Sequence, residues 1–306
     1  MEHPSDGFRR RVAGRILRWY RTEGRTLPWR NTRNLYRILV AEIMLHQTQV
    51  GRVLKIYPTF LRRFPSMHSL AAARQADVII AWRGLGYNNR AVRIHRLAQD
   101  LTVHHNGKLP RTIEGCRTLP GIGKYTAHAL QVSFYRRDLP VVEVNVRRVL
   151  SRLFWKMKTT ADLRPEKEIW TLATALVPRG HGYEWTQALM DLGATVCTAR
   201  LPKCSSCPVA AFCPSRTAMT CPPLSPPHRE LLFAGVPLRI HRGRIVETLR
   251  SSPAGLTVGQ IRSRLFAALP HANHPWLAKV LRSLERDGLI ALHGNPGRPD
   301  ARVILA

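Results

Sequence analysis

Acid is what this chain has little of. It carries 19 Asp+Glu against 48 Lys+Arg, a formal charge of +29. Charge of that size and sign speaks about partners rather than fold. It points first to nucleic acid, unless it serves only solubility or an unusual milieu. Long apolar runs are missing as well. No window reaches the roughly 18 apolar residues that a membrane helix needs. The first ten residues, MEHPSDGFRR, contain acids and no apolar core, so they do not read as a secretory signal. A cytoplasmic, reducing location is the default expectation. The first 215 residues contain no convincing strand run, and the chain has no internal repeat. At 44% hydrophobic it is nonetheless globular, and 306 residues suffice for two or three modest domains.

What is present is helical period and punctuation. Phe8, Val12, Ile16, Leu17 and Tyr20 space a helix over 7–24, and LYRILVAEIMLHQTQ at 35–49 reads as a largely buried one. Further helices are expected at 51–63, 67–74, 76–82, 89–105, 111–118, 124–136, 145–157, 166–177 and 183–195, broken by Pro65, GLGYNN and LPGIGK. Residues 214–238, with PPLSPPHRE at 222–230, read as a linker. Beyond it come three helices, 241–252, 256–269 and 274–288, then LIALHG and ARVILA as two short strands. That is a winged-helix plan, whose third helix carries Lys279, Arg282 and Arg286; a small domain for protein contacts has the same pattern.

Four of the six cysteines, Cys197, Cys204, Cys207 and Cys213, are spaced C-x6-C-x2-C-x5-C. In a reducing compartment, clustering reads as metal ligation rather than disulfides. Zinc ribbons present two pairs separated by a long loop, whereas here all four lie on one compact loop. That suits a single cubane cluster, with zinc the alternative from spacing alone. Cys116 and Cys221 read as ordinary thiols.

LPGIGKYTA at 119–127 is a tight turn between helices. Pro120 disfavours helix at Leu119, Gly121 and Gly123 permit positive φ, and the helix opening near Lys124 directs donors outward. Such a turn can seat a phosphate without reading sequence. Two carboxylates occupy telling places. Glu42 stands in the apolar run ILVAEIML, where desolvation would raise its pKa toward that of a general acid, unless it lies on a solvated stripe with Arg37 and His46. Glu143 sits between valines at a helix start, where the helix end and Arg147 or Arg148 favour its ionised form. The alternative is a capping acid, with Asn145 as N-cap.

AEIMLHQTQV, GLGYNNRA, LPGIGKYTA, VEVNVRRVLSR, QALMDLGATVC and the cysteine loop occur in this order, and together they resemble the helix-hairpin-helix DNA glycosylase superfamily. The resemblance is nearest to its MutY adenine glycosylases and covers roughly 26–215. It implies a mainly α, two-lobed glycosylase fold with a [4Fe-4S] loop and, in this chain, an added C-terminal winged-helix-like domain. The lobes would be 1–34 with 136–215, bearing the cluster, and 35–135, a six-helix lobe with the hairpin. The linker would be 216–238 and the last domain 239–306. The resemblance implies a monomer acting on double-stranded DNA with a mismatched or damaged base, associated with the nucleoid and not with a membrane. Glu42 would protonate adenine N7, and Gln47 would fill the gap left by the flipped base. Tyr87 would contact DNA near the opposing guanine, while Tyr125 and Asn145 would orient the carboxylate and the sugar. Leu119, Gly121, Gly123 and Lys124 of the hairpin, and Arg200 and Lys203 of the cysteine loop, would meet phosphates.

The chain departs from that pattern in two ways. The family's catalytic carboxylate is aspartate followed by glycine; here the position holds Glu143 followed by Val144. The family's usual C-terminal domain, which inspects 8-oxoguanine, has no counterpart. Tyrosine at 125, where bifunctional relatives carry a Schiff-base lysine, implies a glycosylase without strong strand nicking. The expected reaction is hydrolytic removal of adenine opposite 8-oxoguanine or G. Thymine, uracil or another damaged base opposite G is the alternative, followed by a catalytically weakened iron-sulfur DNA-binding protein.

Overall fold

The computed structural model describes residues 5–157, 164–217, 232–233, 235–267 and 274–306. In chain order the helices are α1 (Asp6–Glu23), α2 (Leu35–Leu45), α3 (Val50–Arg63), α4 (Met67–Ala71), α5 (Gln75–Ala81), α6 (Asn89–His104) and α7 (Ile113–Arg117). Then follow α8 (Lys124–Tyr135), α9 (Val144–Phe154), α10 (Glu166–Leu176), α11 (Gly182–Asp191), α12 (Leu238–Arg250), α13 (Val258–Phe266) and α14 (His274–Arg286). Strands are short. β1 (Leu232–Phe233) pairs with β2 (Val236–Pro237), while β3 (Leu256–Thr257), β4 (Ile290–His293) and β5 (Arg302–Leu305) form an antiparallel sheet in the order β3-β5-β4. The proline-rich stretch 222–230 and Cys221 lie outside the described residues. Among the described residues no helix is long and apolar enough to cross a membrane.

The chain divides into two compact units. One comprises 1–38, 110–118 and 122–226; the other comprises 39–109, 119–121 and 227–306. Contacts therefore group 239–306 with the unit of α3–α6, and 122–135 with the unit of the cysteines.

The first unit is built on α1 and α7–α11. The Ser5 hydroxyl accepts the Phe8 N–H and starts α1, whose Val12, Ile16 and Leu17 face the core at helical spacing. They meet Val146, Leu150, Ile169, Leu172, Trp185 and Leu189. The fully buried Asp191, last residue of α11, holds the segment after α1: Arg25 and Arg30 donate to it at 2.6 and 2.7 Å. Burial alone would push this carboxyl up, but the hydrogen bonds from Arg30 and Arg25 outweigh it and hold it below the usual carboxylate range.

From α11 the chain enters a wide π turn, Leu192–Val196, closed by Cys197 N–H donating to Leu192 O at 2.6 Å. The extra residue per turn carries Cys197 off the helix at the point where the cysteine loop begins.

In the second unit, Leu39, Met44, Val53, Phe60, Trp82, Ile94 and Leu101 are buried. The sequence-predicted helix at 35–49 stops at Leu45, because Gln47 takes a left-handed φ of 54° and α3 starts afresh at Val50. The C-terminal elements bury Ile245, Leu249, Leu277, Leu281 and Val303, and Phe233 stacks on Trp276 with centroids 3.6 Å apart.

Candidate active site and cysteine loop

In the first unit, Glu143 is itself the N-cap of α9. Its Oε1 accepts the Val146 N–H at 3.0 Å, and Oε2 accepts from Asn145 Nδ2 at 3.1 Å. Asn145, the N-cap expected from sequence, lies one residue inside the helix. The capping reading and the carboxylate reading thus describe one residue. The longer glutamate folds back on its own helix end, where it accepts from two donors.

The carboxylate is tied inward by a continuous chain of hydrogen bonds. Arg148 Nη2 donates to Asn145 Oδ1 at 2.8 Å and to Gly193 O at 2.7 Å, and its Nε donates to Cys197 O at 3.0 Å. One turn on, Arg152 donates to Thr198 O, Ala199 O and the Cys197 sulfur. Both arginines are buried. Gly193 lets the wide turn approach α9 closely: a Cβ there would stand 2.7 Å from Asn145 Cβ. Tyr125 is half-buried against Ala129, Val132 and Val141, beside Tyr183 and Met190.

All four cysteines line one cavity, together with Arg152, Val196, Pro202 and Lys203. Cys204 opens a 3-10 turn, and Cys207 and Cys213 each follow one. Burial, reinforced by the neighbouring cysteines, pushes the Cys207 thiol up to about 11, and burial raises Cys213 as well. Bare thiolates would repel one another here; a cation at the centre would reverse that. Among the described residues no group of three or more His, Cys, Asp or Glu converges closely enough to hold a single metal ion. Arg200 and Lys203 are exposed on this loop, and Cys116 is buried away from it, its sulfur bonded with Pro110 O and Gln131 Nε2.

In the second unit, Glu42 lies on α2 with 14% of its side chain exposed, 3.8 Å from His46 Nε2. Burial, together with Arg90 and Arg93, lowers His46 to about 4. His46 is therefore neutral at pH 7, and the Glu42 contact is then no ion pair. The unfolded chain binds this proton at higher pH than the folded one does, so stability should fall as pH drops from about 6.5 toward 4. Urea midpoints across that range check it, with His46→Gln removing this part of the pH slope.

The buried Arg90 fixes the two loops beyond Glu42. One guanidinium nitrogen donates to Ile43 O, Met44 O and His46 O; the other donates to Thr48 Oγ1, Leu85 O and Gly86 O. On either side of it stand Gln47, exposed at φ 54°, and Tyr87, 48% exposed at φ 42°. Two non-glycine residues in the left-handed region mark stored strain at this edge. Burial lowers Arg90 to about 10, still a cation at neutral pH.

The hairpin turn follows α7. Leu119 is buried at 3% exposure, so its side chain faces the protein. Gly121 takes a left-handed φ of 76°, a conformation that favours glycine. Gly123 is the N-cap of α8, and Lys124 at its first position lies 3.9 Å over the Trp170 ring.

Residues 40–174 match the family described as HhH-GPD superfamily base excision DNA repair protein. The chain is 39% identical over 285 residues to the adenine DNA glycosylase of Mycobacterium tuberculosis, covering 91% of this chain and 92% of that one. It belongs to the HhH-GPD superfamily. The human adenine DNA glycosylase is 37% identical over 212 residues, which is 66% of this chain and 39% of the human one. Among solved structures, a thermostable thymine-DNA glycosylase superposes with TM-score 0.64 at 30% identity, over 69% of this chain and 98% of that one. An endonuclease III in complex with DNA superposes with TM-score 0.60 at 21% identity, over 70% and 97%, a likeness of fold.

Sequence reasoning named Arg148 only as a charge near Glu143 and missed the burial of Arg90, Arg148 and Arg152 in this HhH-GPD chain. Arg148 and Arg152 are four apart and share a helix face, a signal that was available. Arg90 had none, because its partners are carbonyls from two other loops.

Proposed function

We infer that this chain is a monofunctional DNA N-glycosylase of base excision repair that removes mispaired adenine, opposite 8-oxoguanine or G, by hydrolysis. The observation that carries it is the 39% identity to an adenine DNA glycosylase over 91% of the chain. The site geometry supports the chemistry. Glu42, mostly withdrawn from water and beside a neutral His46, suits a general acid for the leaving base. Glu143, held at the N-terminus of α9 by two donors, suits the ionised carboxylate that stabilises or captures the oxocarbenium-like sugar. Asn145 orients that carboxylate, and Tyr125 stands where a Schiff-base lysine would be needed for strand nicking. Of the exposed residues, Gln47 is proposed to fill the gap left by the flipped base and Tyr87 to contact DNA near the opposing guanine. The hairpin backbone from Leu119 to Lys124 would hold a phosphate.

Cys197, Cys204, Cys207 and Cys213 would hold a [4Fe-4S] cluster. All four thiols line one cavity on a single compact loop, which suits one cubane cluster. When bound, the cluster ties its loop together and leaves the chemistry to the carboxylates. Absorbance near 400 nm, with iron rather than zinc by elemental analysis, tests it. Arg200 and Lys203 would contact phosphates. Replacing both with alanine should weaken duplex binding and lower the log K versus log salt slope by up to about 2, and an unchanged slope would remove this role. The elements α12–α14 with the β3-β5-β4 sheet fit a winged-helix plan, with Lys279, Arg282 and Arg286 exposed on α14. We propose the same functional lobes as from sequence, a monomer in action, and a cytoplasmic place on the nucleoid.

A second substrate has one observation behind it, the 30% identity to a thymine-DNA glycosylase. Single-turnover excision decides. Release of A opposite 8-oxoguanine and G, without release of T, U or hypoxanthine opposite G, is expected. Thymine release alone would replace adenine with thymine, and no release at all would leave a binding protein.

A further inference from the structure

Arg250 is the last residue of α12, and its guanidinium is buried with 3% of the side chain exposed. The nearest carboxylate, Glu247 on the same helix, accepts from its Nη1 at 2.8 Å. Its other bonds leave the C-terminal elements altogether. Nε and Nη2 both donate to Ile79 O, at 3.1 and 2.8 Å, and Nη2 also donates to Asn88 Oδ1 at 2.9 Å.

Asn88 is the N-cap of α6, a position where asparagine ordinarily turns its side chain onto the helix's own N–H groups. Here that side chain makes no capping bond. Its oxygen faces Arg250 instead. Asn88 immediately follows Tyr87, exposed at φ 42°, in a loop that also holds Gly84 and Gly86 at positive φ. A loop with that much left-handed backbone keeps one shape only if its surroundings impose it. Arg90 grips it from within through Leu85 O and Gly86 O. The outer grip comes from the C-terminal elements, where Glu247 also pairs with Arg83 at 2.7 Å, just ahead of the loop.

We propose that Arg250 is a positioning residue for Tyr87, and that the C-terminal elements serve the DNA reaction by bracing the Gly84–Asn88 loop from outside. The inference rests on the reading above that Tyr87 meets DNA. It differs from a winged helix that grips DNA by itself, since the brace acts through a side chain on another element.

The test is a double-mutant cycle on the full-length chain. The readout is the Kd for a duplex carrying a tetrahydrofuran abasic site opposite 8-oxoguanine. Arg250→Ala and Tyr87→Ala should each weaken binding about tenfold, and the double variant should be no weaker than Tyr87→Ala alone. The single-turnover excision rate at saturating enzyme should hold in Arg250→Ala, because neither carboxylate is touched. Asn88→Ala removes the same bond from the loop side without emptying a buried site, and should reproduce the Arg250→Ala effect. If the two losses multiply to about a hundredfold, Arg250 acts apart from Tyr87 and the brace is overturned, while the Tyr87 reading stands. If Tyr87→Ala alone leaves Kd unchanged, the Tyr87 reading fails and the brace fails with it. If Arg250→Ala and Asn88→Ala both bind normally, the brace alone fails.

Discussion

With glutamine at position 143, single-turnover adenine release is expected to fall by about two to four orders of magnitude. Duplex affinity should hold. The amide keeps the length of the side chain and an oxygen for the Val146 N–H, so the helix cap survives and the urea midpoint should barely move. What disappears is the negative charge proposed to stabilise the developing sugar cation. Glu143→Asp separates charge from reach. It keeps the charge, shortens the arm by one methylene, and should lose about a hundredfold, the usual consequence of a displacement near 1 Å. Release at the normal rate from Glu143→Gln would mean that the working carboxylate lies elsewhere.

Arg148→Met is expected to damage stability and rate together. The substitution leaves Asn145 Oδ1, Gly193 O and Cys197 O without the guanidinium that joins them. Stranding several buried acceptors should cost roughly 3–5 kcal/mol. The folded fraction should also excise adenine about a hundredfold more slowly, because Asn145 no longer holds Glu143 in place. Urea unfolding measures the first effect and single-turnover excision the second, with absorbance near 400 nm reporting on the cysteine loop. A rate that drops only in proportion to the unfolded fraction would show that Arg148 stabilises α9 without positioning Glu143.

Much of the helical frame was legible in the sequence because its breaks are chemical. LPGIG forces the turn before Lys124, and α1, α3, α6, α8 and α10 begin and end within a residue or two of their expected bounds. The errors fall where a distant group overrides local pattern. The run through Gln49 looked helical, yet Arg90, far along the chain, draws the carbonyls of Ile43, Met44 and His46 to itself and the helix ends at Leu45. Glu143 and Asn145 can both cap a helix, and nothing local decides between them. The strand β3 has two residues, too few for alternation to register. Candidate site residues could be named from order and spacing. The arginines that hold them were harder to read: Arg148 and Arg152 left only a four-residue spacing and Arg90 left none, and a buried arginine looks like a surface one in a chain with 48 basic residues. Among the described residues five of them, Arg30, Arg90, Arg148, Arg152 and Arg250, are interior.

The wide turn at Leu192–Val196 makes this chain sensitive to length as well as to composition. Removing one residue there would let the segment relax into ordinary α-helix, and each residue of an α-helix advances about 100° around the axis. The first cysteine of the loop would swing to another side of the helix, and its carbonyl would leave Arg148. Substitutions in this stretch are graded insults; a single-codon deletion is a change of phase that no side chain can repair. In laboratory evolution, frame-preserving deletions at 192–196 should therefore be purged far more completely than point changes at the same positions.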